Sequence, residues 1–521
     1  MALVKGGRAM AWTVAVAVAL SLAIVLTVAY FSGPSEPEGC ADAPEGIRLN
    51  SAEHGECIGI TDGGYIFTPA EGGDLGEADR AAAAEIAEVQ KKLLEENRRV
   101  VKSGNYVKVA LLSPLTVSKK IPSTMSLQQI RDTLQGTYTA LVRANRSSVF
   151  SDPAAVQIQL LLANQGSQQE AGTRFVEGLT AVSEPDHPLV AVVGLGSSVE
   201  NTEKVARDLA GRGVPMVSAV TSADTLTGIE GLWSVSPGNS QYAQALKEFL
   251  DRPDQRELKN GIIVHDRNED PYTTTLRAAY ETVLDSYVRY PSQDYAGSTA
   301  EQPLAPNAFR PVIDNLCAAT GRQDDPLDVV FFAGRLADFE VFAQYLDERI
   351  CRQDPLTVMV GATGFAGAEK YGDLLKGANV TVVYATSSDS QSWGAGEKGT
   401  PRHYTDFQKA FLSHGFDAAD LRDGYAIAHH DALATAATAI GLAAIPRKQD
   451  TSARLPTPQD VKAQFSRLNL ANVVRAASGE LSFEPSGGRA AGRSIPLRQV
   501  GSNSQVPALP EGLTPYVVPA P

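Results

Sequence analysis

The chain has 521 residues, 43% of them hydrophobic and 20% charged, which suits a globular protein of several domains at about 150 residues each. Its formal net charge of -14 argues against a nucleic-acid-binding protein, since such proteins usually carry a basic patch or stripe. Four cysteines (Cys40, Cys57, Cys317 and Cys351) form two sequence-local pairs without a CxxC motif, which favours two disulfides in an oxidising compartment over a zinc site.

The N-terminal segment predicts export. Residues 10–31 are almost wholly apolar and uncharged, and about 20 apolar residues suffice to span a bilayer. Lys5 and Arg8 precede this run and acidic residues follow it, so the positive-inside rule places residues 1–9 in the cytoplasm and the main body outside. We expect an uncleaved signal anchor; the alternative is a cleaved signal peptide, which would release a secreted protein.

Residues 32–104 are predicted to contain a linker, a disulfide hairpin and an amphipathic helix. The first part, 32–46, is rich in Pro, Gly and Glu. Two β-prone runs between Gly55 and Phe67 flank the turn sequence TDGG, which predicts a hairpin that a Cys40–Cys57 bond could staple. Apolar residues recur at helical spacing over 75–101, so this helix packs on the domain, stands as a stalk or pairs in a coiled coil.

From residue 106 onward, apolar strands alternate with helices. This alternation predicts βαβ units and parallel sheets that are covered by helices on both faces, in an α/β fold. The predicted strands are Val107–Leu112, Gln157–Ala163, Leu189–Gly194, Pro215–Val217, Gly261–His265, Val329–Ala333, Thr357–Val360 and Val380–Tyr384.

This series of strands and helices is too long for one sheet. Turn- and loop-rich sequences near 234–238, 387–401 and 445–458 interrupt the series and predict three crossings between two lobes. The apolar helix at 424–445 should lie buried in the first lobe. The predicted division is lobe 1 from residues 105–237 plus 390–450, lobe 2 from 238–389 plus 455–500, and a loose Pro-rich tail at 501–521.

Small hydroxyl residues follow two neighbouring predicted strands. The strand that ends at Gly194 runs into Ser197 and Ser198, and the next strand is followed by Thr221 and Ser222. Ligands of open α/β sheets bind at the carboxyl ends of the strands, where helix N-termini also favour a carboxylate. The alternative is that these serines only cap helices, since Ser is favoured there regardless of a ligand.

In five segments, residues 105–500 resemble the type I periplasmic binding proteins, specifically the branched-chain amino-acid (Leu/Ile/Val) receptor group of ABC-transporter substrate-binding proteins. The resemblance rests on the order of these five segments along the chain rather than on any single motif. The segments are VKVALLSPLT (107–116), VAVVGLGSS (190–198), GVPMVSAVTSADTLT (213–227), GIIVHDRNEDPY (261–272) and LSFEPSGGR (481–489).

The resemblance implies two lobes that close on a small ligand about three hinge strands, and it implies binding, not catalysis. No cofactor and no metal are expected. It places the ligand carboxylate on the first lobe and closes the second lobe over it. The residues it assigns to the cleft are Ser197, Ser198, Val220 (through its backbone), Ser222, Asn239, Tyr272, Arg335 and Thr363.

The chain departs from this group at the last two positions. Amino-acid binders of the group hold the α-ammonium with an aromatic and an acidic residue there, whereas this chain has Arg335 and Thr363. An arginine repels an ammonium group and pairs with an anion, so a ligand with a second anionic group, or no ligand, is an alternative to an amino acid. Arg335 could also simply pair with the nearby Asp338 or Glu340.

We therefore expect an extracytoplasmic, membrane-tethered solute-binding protein that captures a small polar, carboxylate-bearing ligand for an ABC-type permease. The alternative is a sensory or signalling ectodomain, or a degenerate interaction module, of the same fold. No nucleic acid is expected as a partner, and no GxSxG, P-loop or GxGxxG motif indicates an enzyme. His429, His430 and Asp431 lie within a predicted apolar helix and are expected to be structural.

Overall fold

The computed structural model describes residues 48–51, 56–67, 75–118, 121–170, 172–255, 257–299, 302–444, 454–469, 472–485, 487–503, 506, 509 and 515–519. No helix within these ranges is both long and apolar enough to cross a membrane. The predicted cytoplasmic stub (1–9) and anchor (10–31) lie outside the described residues.

Helices and strands alternate through most of the chain. The helices are α1 (Glu77–Ser103), α2 (Leu127–Arg146), α3 (Gly172–Ala181), α4 (Glu200–Gly211), α5 (Asn239–Leu250), α6 (Pro271–Val283), α7 (Arg310–Thr320), α8 (Leu336–Glu348), α9 (Gly372–Gly377), α10 (Ser390–Gly394), α11 (Tyr404–Ser413), α12 (Tyr425–Ala444) and α13 (Pro458–Phe465). The strands are β1 (Arg48–Ser51), β2 (Cys57–Thr61), β3 (Tyr106–Ser113), β4 (Gln157–Asn164), β5 (Leu189–Gly194), β6 (Met216–Ser218), β7 (Leu232–Ser234), β8 (Gly261–Asp266), β9 (Gln293–Tyr295), β10 (Val329–Ala333), β11 (Leu356–Gly361), β12 (Val380–Ala385), β13 (Val474–Ala476), β14 (Gly479–Leu481), β15 (Gly488–Arg489), β16 (Ser494–Ile495), β17 (Leu497–Gly501) and β18 (Tyr516–Val517).

The first lobe is built on an eight-stranded sheet in the order β1-β2-β4-β3-β5-β6-β7-β15. The strands from β4 to β15 run parallel, while β1 and β2 extend one edge in antiparallel pairing. Alternate residues of β3 face opposite sides of the sheet: Val109 joins the core under α1, α2 and α12, and Ala110 joins the core under α3 and α4. Both faces are thus covered, as the predicted α/β fold requires.

The second lobe has a six-stranded sheet in the order β17-β12-β11-β10-β8-β9, parallel except for β17. Two neighbouring phenylalanines of β10 show how helices cover both of its faces. The Phe331 ring lies 5.7 Å from that of Tyr280 on α6, whereas the Phe332 ring stacks at 5.2 Å on Phe342 of α8. Because successive strand residues point to opposite faces, α6 and α8 lie on opposite sides of the sheet.

The chain passes between the lobes at residues 235–238, 386–389 and 490–493. The predicted third break at 445–458, and with it the assignment of 455–489 to lobe 2, is wrong. In the structure α13 packs on α12, Phe465 stacks on Trp233 at 4.5 Å, and β15 pairs with β7 in the first sheet. The proline-rich stretch therefore joins two elements of the first lobe.

The predicted hairpin between Gly55 and Phe67 is also wrong. Strand β2 pairs with β1 and β4, and the chain after it leads to Phe67, whose backbone N–H and carbonyl bond the Gln90 side chain at 2.9 and 2.8 Å. Helix α1 packs against α2 and β4, with Ile86, Leu93 and Val100 buried in the first core. The described residues before 105 (48–51, 56–67 and 75–104) are thus part of the first lobe.

Two further predictions concern the cysteines and the C-terminal tail. A disulfide joins Cys317 to Cys351 with their Cα atoms 5.4 Å apart, as predicted. Cys57 is also disulfide-bonded, and its predicted partner Cys40 lies outside the described residues. The described part of the tail is not loose, because β18 pairs with β16 and the Val518 N–H donates to the Arg493 carbonyl at 2.9 Å.

Candidate functional site

The first wall of the inter-lobe cleft is the turn after β5. Gly194 pairs in register with Ser218 of β6, so the residues after both strands leave the sheet at the same edge. The turn has left-handed backbone at Gly194, Leu195 and Gly196, with φ values of 96°, 67° and 66°. A Cβ atom at Gly196 would lie 2.6 Å from the Gln169 side-chain oxygen, so this position needs glycine.

Within this turn, the two serines have different partners. The Ser197 N–H donates to Gln169 Oε1 at 2.7 Å, and the Ser197 hydroxyl donates to the Thr124 carbonyl at 3.3 Å. The Ser198 hydroxyl accepts from the N–H groups of Ser222 and Ala223 at 3.0 and 3.2 Å. Ser198 therefore ties the residues after β5 to those after β6, whereas Ser197 bonds to the loops that follow β3 and β4. Together these bonds bring Ser197, Ser198 and Ser222 to one place. The Val220 side chain packs in the first core.

The second lobe meets this wall through Arg335 and Asn239. Arg335 precedes α8, and its Nη2 atom donates to the Ser198 carbonyl at 2.9 Å and to Asp270 Oδ2 at 2.6 Å. The Asn239 N–H donates to the Ser222 carbonyl at 2.9 Å, and the Asn239 side chain donates to the Tyr272 carbonyl at 2.9 Å. The two lobes are thus in direct contact across the predicted site.

Three tyrosines surround this contact. The Arg335 guanidinium lies 5.4 Å from the centre of the Tyr272 ring, a distance suited to a cation–π interaction. The Tyr242 hydroxyl lies 2.7 Å from Thr363 Oγ1. Tyr425 begins α12 and lies against the loop after β11, where a Cβ at Gly364 would come 2.7 Å from its ring.

The charged groups described at the site are Arg335 and Asp270, which pair with each other. Burial alone would lower the pKa of Arg335, but Asp270 raises that pKa above its ordinary value, so the guanidinium stays charged. Burial raises the pKa of the Tyr242, Tyr272 and Tyr425 phenols, which therefore stay neutral. The site combines an arginine–carboxylate pair with neutral phenols, and its guanidinium can bind a carboxylate ligand that takes the place of Asp270.

Sequence reasoning missed Tyr242, Tyr425, Asp270 and Gln169. Tyr425 begins a helix whose alanine-rich sequence indicates only burial, and Gln169 is distant in the chain from the serine that it holds. Arg335 pairs with Asp270 rather than with Asp338 or Glu340. The only sequence indication of this pair was that Asp270 lies two residues before Tyr272, which the resemblance places in the cleft. Sequence separation carries no information about such partners.

The His429, His430 and Asp431 group does not form a metal site, and no cluster of three or more His, Cys, Asp or Glu in the described residues could hold a metal ion. His430 lies between Asp431 Oδ1 (2.8 Å) and the Arg143 guanidinium (2.7 Å). Asp431 also accepts from the N–H groups of Ala477 and Ser478 at 2.7 and 3.0 Å. The group therefore fastens the β13–β14 turn to α12.

Comparison with known proteins identifies the fold but no sequence family. Neither family models nor curated proteins give a match. Among solved structures, the leucine-binding protein LivK from Thermotoga maritima is 14% identical, with a TM-score of 0.54 over 77% of this chain and 96% of that chain. An ABC transporter substrate-binding protein from Desulfitobacterium hafniense in complex with Leu is 15% identical, with a TM-score of 0.55 over 76% and 97%.

A third structure of the same fold is a solute-binding protein of an ABC transporter from Rhodopseudomonas palustris HaA2, in complex with p-hydroxybenzoic acid. It is 14% identical, with a TM-score of 0.54 over 76% of this chain and 92% of that chain. The two lobes, the parallel sheets and the three crossings together define the type I periplasmic-binding-protein fold, as the sequence resemblance predicts.

Proposed function

We propose that this protein is an extracytoplasmic solute-binding protein that holds a small polar, carboxylate-bearing molecule between its lobes, without catalysis. The observation that carries the proposal is Arg335, a charged guanidinium that reaches from the second lobe to the Ser198 carbonyl of the first. Its side chain is 28% exposed and its ion-pair partner Asp270 is 20% exposed, so the guanidinium is accessible to a carboxylate that displaces Asp270.

The ligands of the similar structures agree with this chemistry. Leucine and p-hydroxybenzoic acid, which are bound to two of them, both carry a carboxylate. In this protein a carboxylate would accept from Arg335 in place of Asp270, and the surrounding tyrosine rings would pack against an apolar or aromatic body. Closure of the lobes would bring the Ser197–Ser198 turn of the first lobe and Arg335 of the second lobe to the same ligand.

The proposal includes delivery of the ligand to an ABC-type permease and a membrane tether at residues 10–31, with the C-terminal body outside the cell. A sensory ectodomain with the same site is the alternative. Mass spectrometry of the mature N-terminus decides whether the tether is retained. Retention favours the tethered receptor, whereas loss of residues 10–31 makes the protein secreted.

The binding proposal is tested by a thermal-shift screen of the purified full chain against L-leucine, L-isoleucine, p-hydroxybenzoate, short dicarboxylates, amides and purines. A ligand that binds only the folded state stabilises it by about 2.7 kcal/mol at a hundredfold excess over its dissociation constant. We expect a carboxylate to raise the melting temperature and its amide analogue to have little effect.

Arg335→Gln should weaken the binding of that carboxylate by roughly 10- to 100-fold, because one charge-assisted hydrogen bond is lost. Titration calorimetry measures this change. Arg267→Gln is the matched control, since Arg267 is an exposed arginine of the loop before α6 whose nearest carboxylate, Asp294, is 3.9 Å away. Equal losses in both variants, or no hit in the screen with a folded protein, would contradict the proposed site.

A further inference from the structure

A buried carboxylate near the N-terminal end of the described chain lies among the loops of the ligand cleft. Glu56, only 6% exposed, immediately precedes the disulfide-bonded Cys57. Its Oε1 atom accepts from the hydroxyls of Thr116 and Ser167 at 2.6 and 2.8 Å, and both of its oxygens lie 3.1 Å from the Ser167 backbone nitrogen. Burying a carboxylate is costly without such bonds, so its position depends on these donors.

The donors belong to the loops that follow β3 and β4. Asn164, the last residue of β4, fixes the same region by donating to the Cys57 carbonyl at 2.7 Å and to Thr116 Oγ1 at 2.9 Å. The Ser167 carbonyl in turn accepts from the N–H and hydroxyl of Thr124, each at 2.9 Å. The segment at Glu56 thus holds two loops at the carboxyl edge of the first sheet.

Gln169, two residues after Ser167, contacts the serine turn directly. It is fully buried and has left-handed backbone, with a φ of 58°. Its Oε1 accepts the Ser197 N–H at 2.7 Å, while its Nε2 donates to Thr202 Oγ1 at 2.7 Å. Ser197 also donates to the carbonyl of Thr124, the residue that Ser167 holds. A continuous set of hydrogen bonds, through Ser167 and Thr124, therefore joins Glu56 to the serine turn.

We propose that Glu56 is a positioning residue for the ligand site, through which the N-terminal segment of the first lobe sets the geometry of the Ser197–Ser198 turn. The inference rests on the proposed function for its effect on affinity. In the sequence, Glu56 lies between the predicted anchor at residues 10–31 and the residues of the ligand site. Displacing the segment would release the Ser167 loop and then Gln169 from the serine turn.

The test compares Glu56→Ala with Glu56→Gln and Glu96→Ala in the full chain. Glu56→Gln keeps an acceptor oxygen for Thr116 and Ser167. Glu96 is the matched control, because it is also a buried carboxylate of this segment, but it binds Arg99, Arg146 and Asn145 instead of the cleft loops. Thr116→Val, which removes one hydroxyl donor at nearly constant shape, replaces Glu56→Ala if that variant does not fold.

The first readout is amide hydrogen exchange without ligand, followed by mass spectrometry in peptides covering 164–169 and 195–199. Glu56→Ala should speed exchange in both peptides by at least about fivefold, since roughly 1 kcal/mol of hydrogen bonding is lost. Glu56→Gln should restore most of the protection, and the peptide covering β10 in the second lobe should not change.

The second readout is affinity for p-hydroxybenzoate or L-leucine, whichever stabilises the wild-type chain. Glu56→Ala should weaken it about tenfold while Glu96→Ala lowers the melting temperature without a comparable loss of affinity. Unchanged exchange at 195–199, or equal changes in Glu56→Ala and Glu96→Ala, would overturn the positioning role. If no ligand binds but the exchange pattern holds, the ligand function fails and the coupling of Glu56 to the turn stands.

Discussion

Asp132 and Asp423 form a carboxyl pair between α2 and the N-terminus of α12. Burial raises the pKa of Asp132 well above its ordinary value, and the neighbouring Asp423 raises it further. Burial likewise raises the pKa of Asp423 to about 6, although the Tyr425 N–H and Arg131 oppose the shift. Asp420 is the other nearby carboxyl, and it pairs with Arg131 at 2.6 Å. Between about pH 4 and pH 6, the pair therefore retains a proton in the folded protein that the unfolded chain has already released.

This difference predicts that the pair makes the protein less stable as the pH rises. Between about pH 4, where an unfolded aspartate ionises, and about pH 6, the folded state binds more protons, so the free energy of unfolding falls, by at most about 3 kcal/mol for Asp423. Asp423→Asn keeps an oxygen for the Tyr425 N–H and should raise the melting temperature at pH 8 but not at pH 4.

Calorimetry of both proteins from pH 4 to 8 measures this effect. Asp406→Asn, on the exposed face of α11, is the control and should leave the pH profile unchanged. If the melting temperatures of the wild type and of Asp423→Asn change equally between pH 4 and pH 6, the folded pair does not retain a proton in that range.

At the scale of elements, the packing of α2 on α12 positions Tyr425 at the cleft. The closest approach is at Gly136, where an added Cβ would lie 2.0 Å from the Ala426 carbonyl oxygen. The contact involves backbone atoms, which cannot turn aside as a flexible side chain can. The two helices can therefore lie this close only because residue 136 is glycine.

Gly136→Ala should thus destabilise the first lobe by about 1 to 3 kcal/mol, in spite of alanine's better helix propensity. Because α12 must shift, ligand affinity should fall as well. Gly211→Ala is the matched control, since this helical glycine has nothing within 4 Å of the added Cβ, and it should be neutral or stabilising by up to about 1 kcal/mol. Denaturant titration of both variants compares them, and similar values would contradict the close-packing argument.

The sequence pattern predicted helices and strands correctly where the pattern lies within the element itself. The apolar runs at Leu189–Gly194 and Val329–Ala333 are strands with those same bounds, because both faces of each strand are buried. The pairing of β15 with β7 was missed, since two residues with glycine carry no strand pattern and their partner is some 250 residues away. Likewise the serine turn was predictable from its own sequence, but Gln169 and Tyr425 reach it only through tertiary contacts.

At the scale of the whole molecule, Arg489 of β15 and Arg493 of the third crossing hold the other two crossings in place. Arg489, whose side chain is 7% exposed, donates to the carbonyls of Ser236 and Pro237 in the first crossing at 3.1 and 3.4 Å. Arg493 donates to the Ser387 carbonyl of the second crossing at 2.5 Å. The apolar cores of the two lobes are otherwise separate, so the lobes are joined mainly through these polar contacts and through the cleft.

Separate cores predict that damage to one lobe leaves the other folded. The Cys317–Cys351 disulfide lies wholly in the second lobe and closes a loop with a sequence separation of 34 residues, for which chain entropy gives about 3 to 4 kcal/mol. The double variant Cys317→Ala, Cys351→Ala should therefore split calorimetric unfolding, with the second lobe melting first and the first lobe near its original temperature. Lys462→Ala, which removes a surface ion pair of the first lobe to Glu230, should leave the profile unchanged. A single transition lowered as one unit would instead mean that the contacts at the crossings and the cleft couple the lobes more strongly than their separate cores suggest.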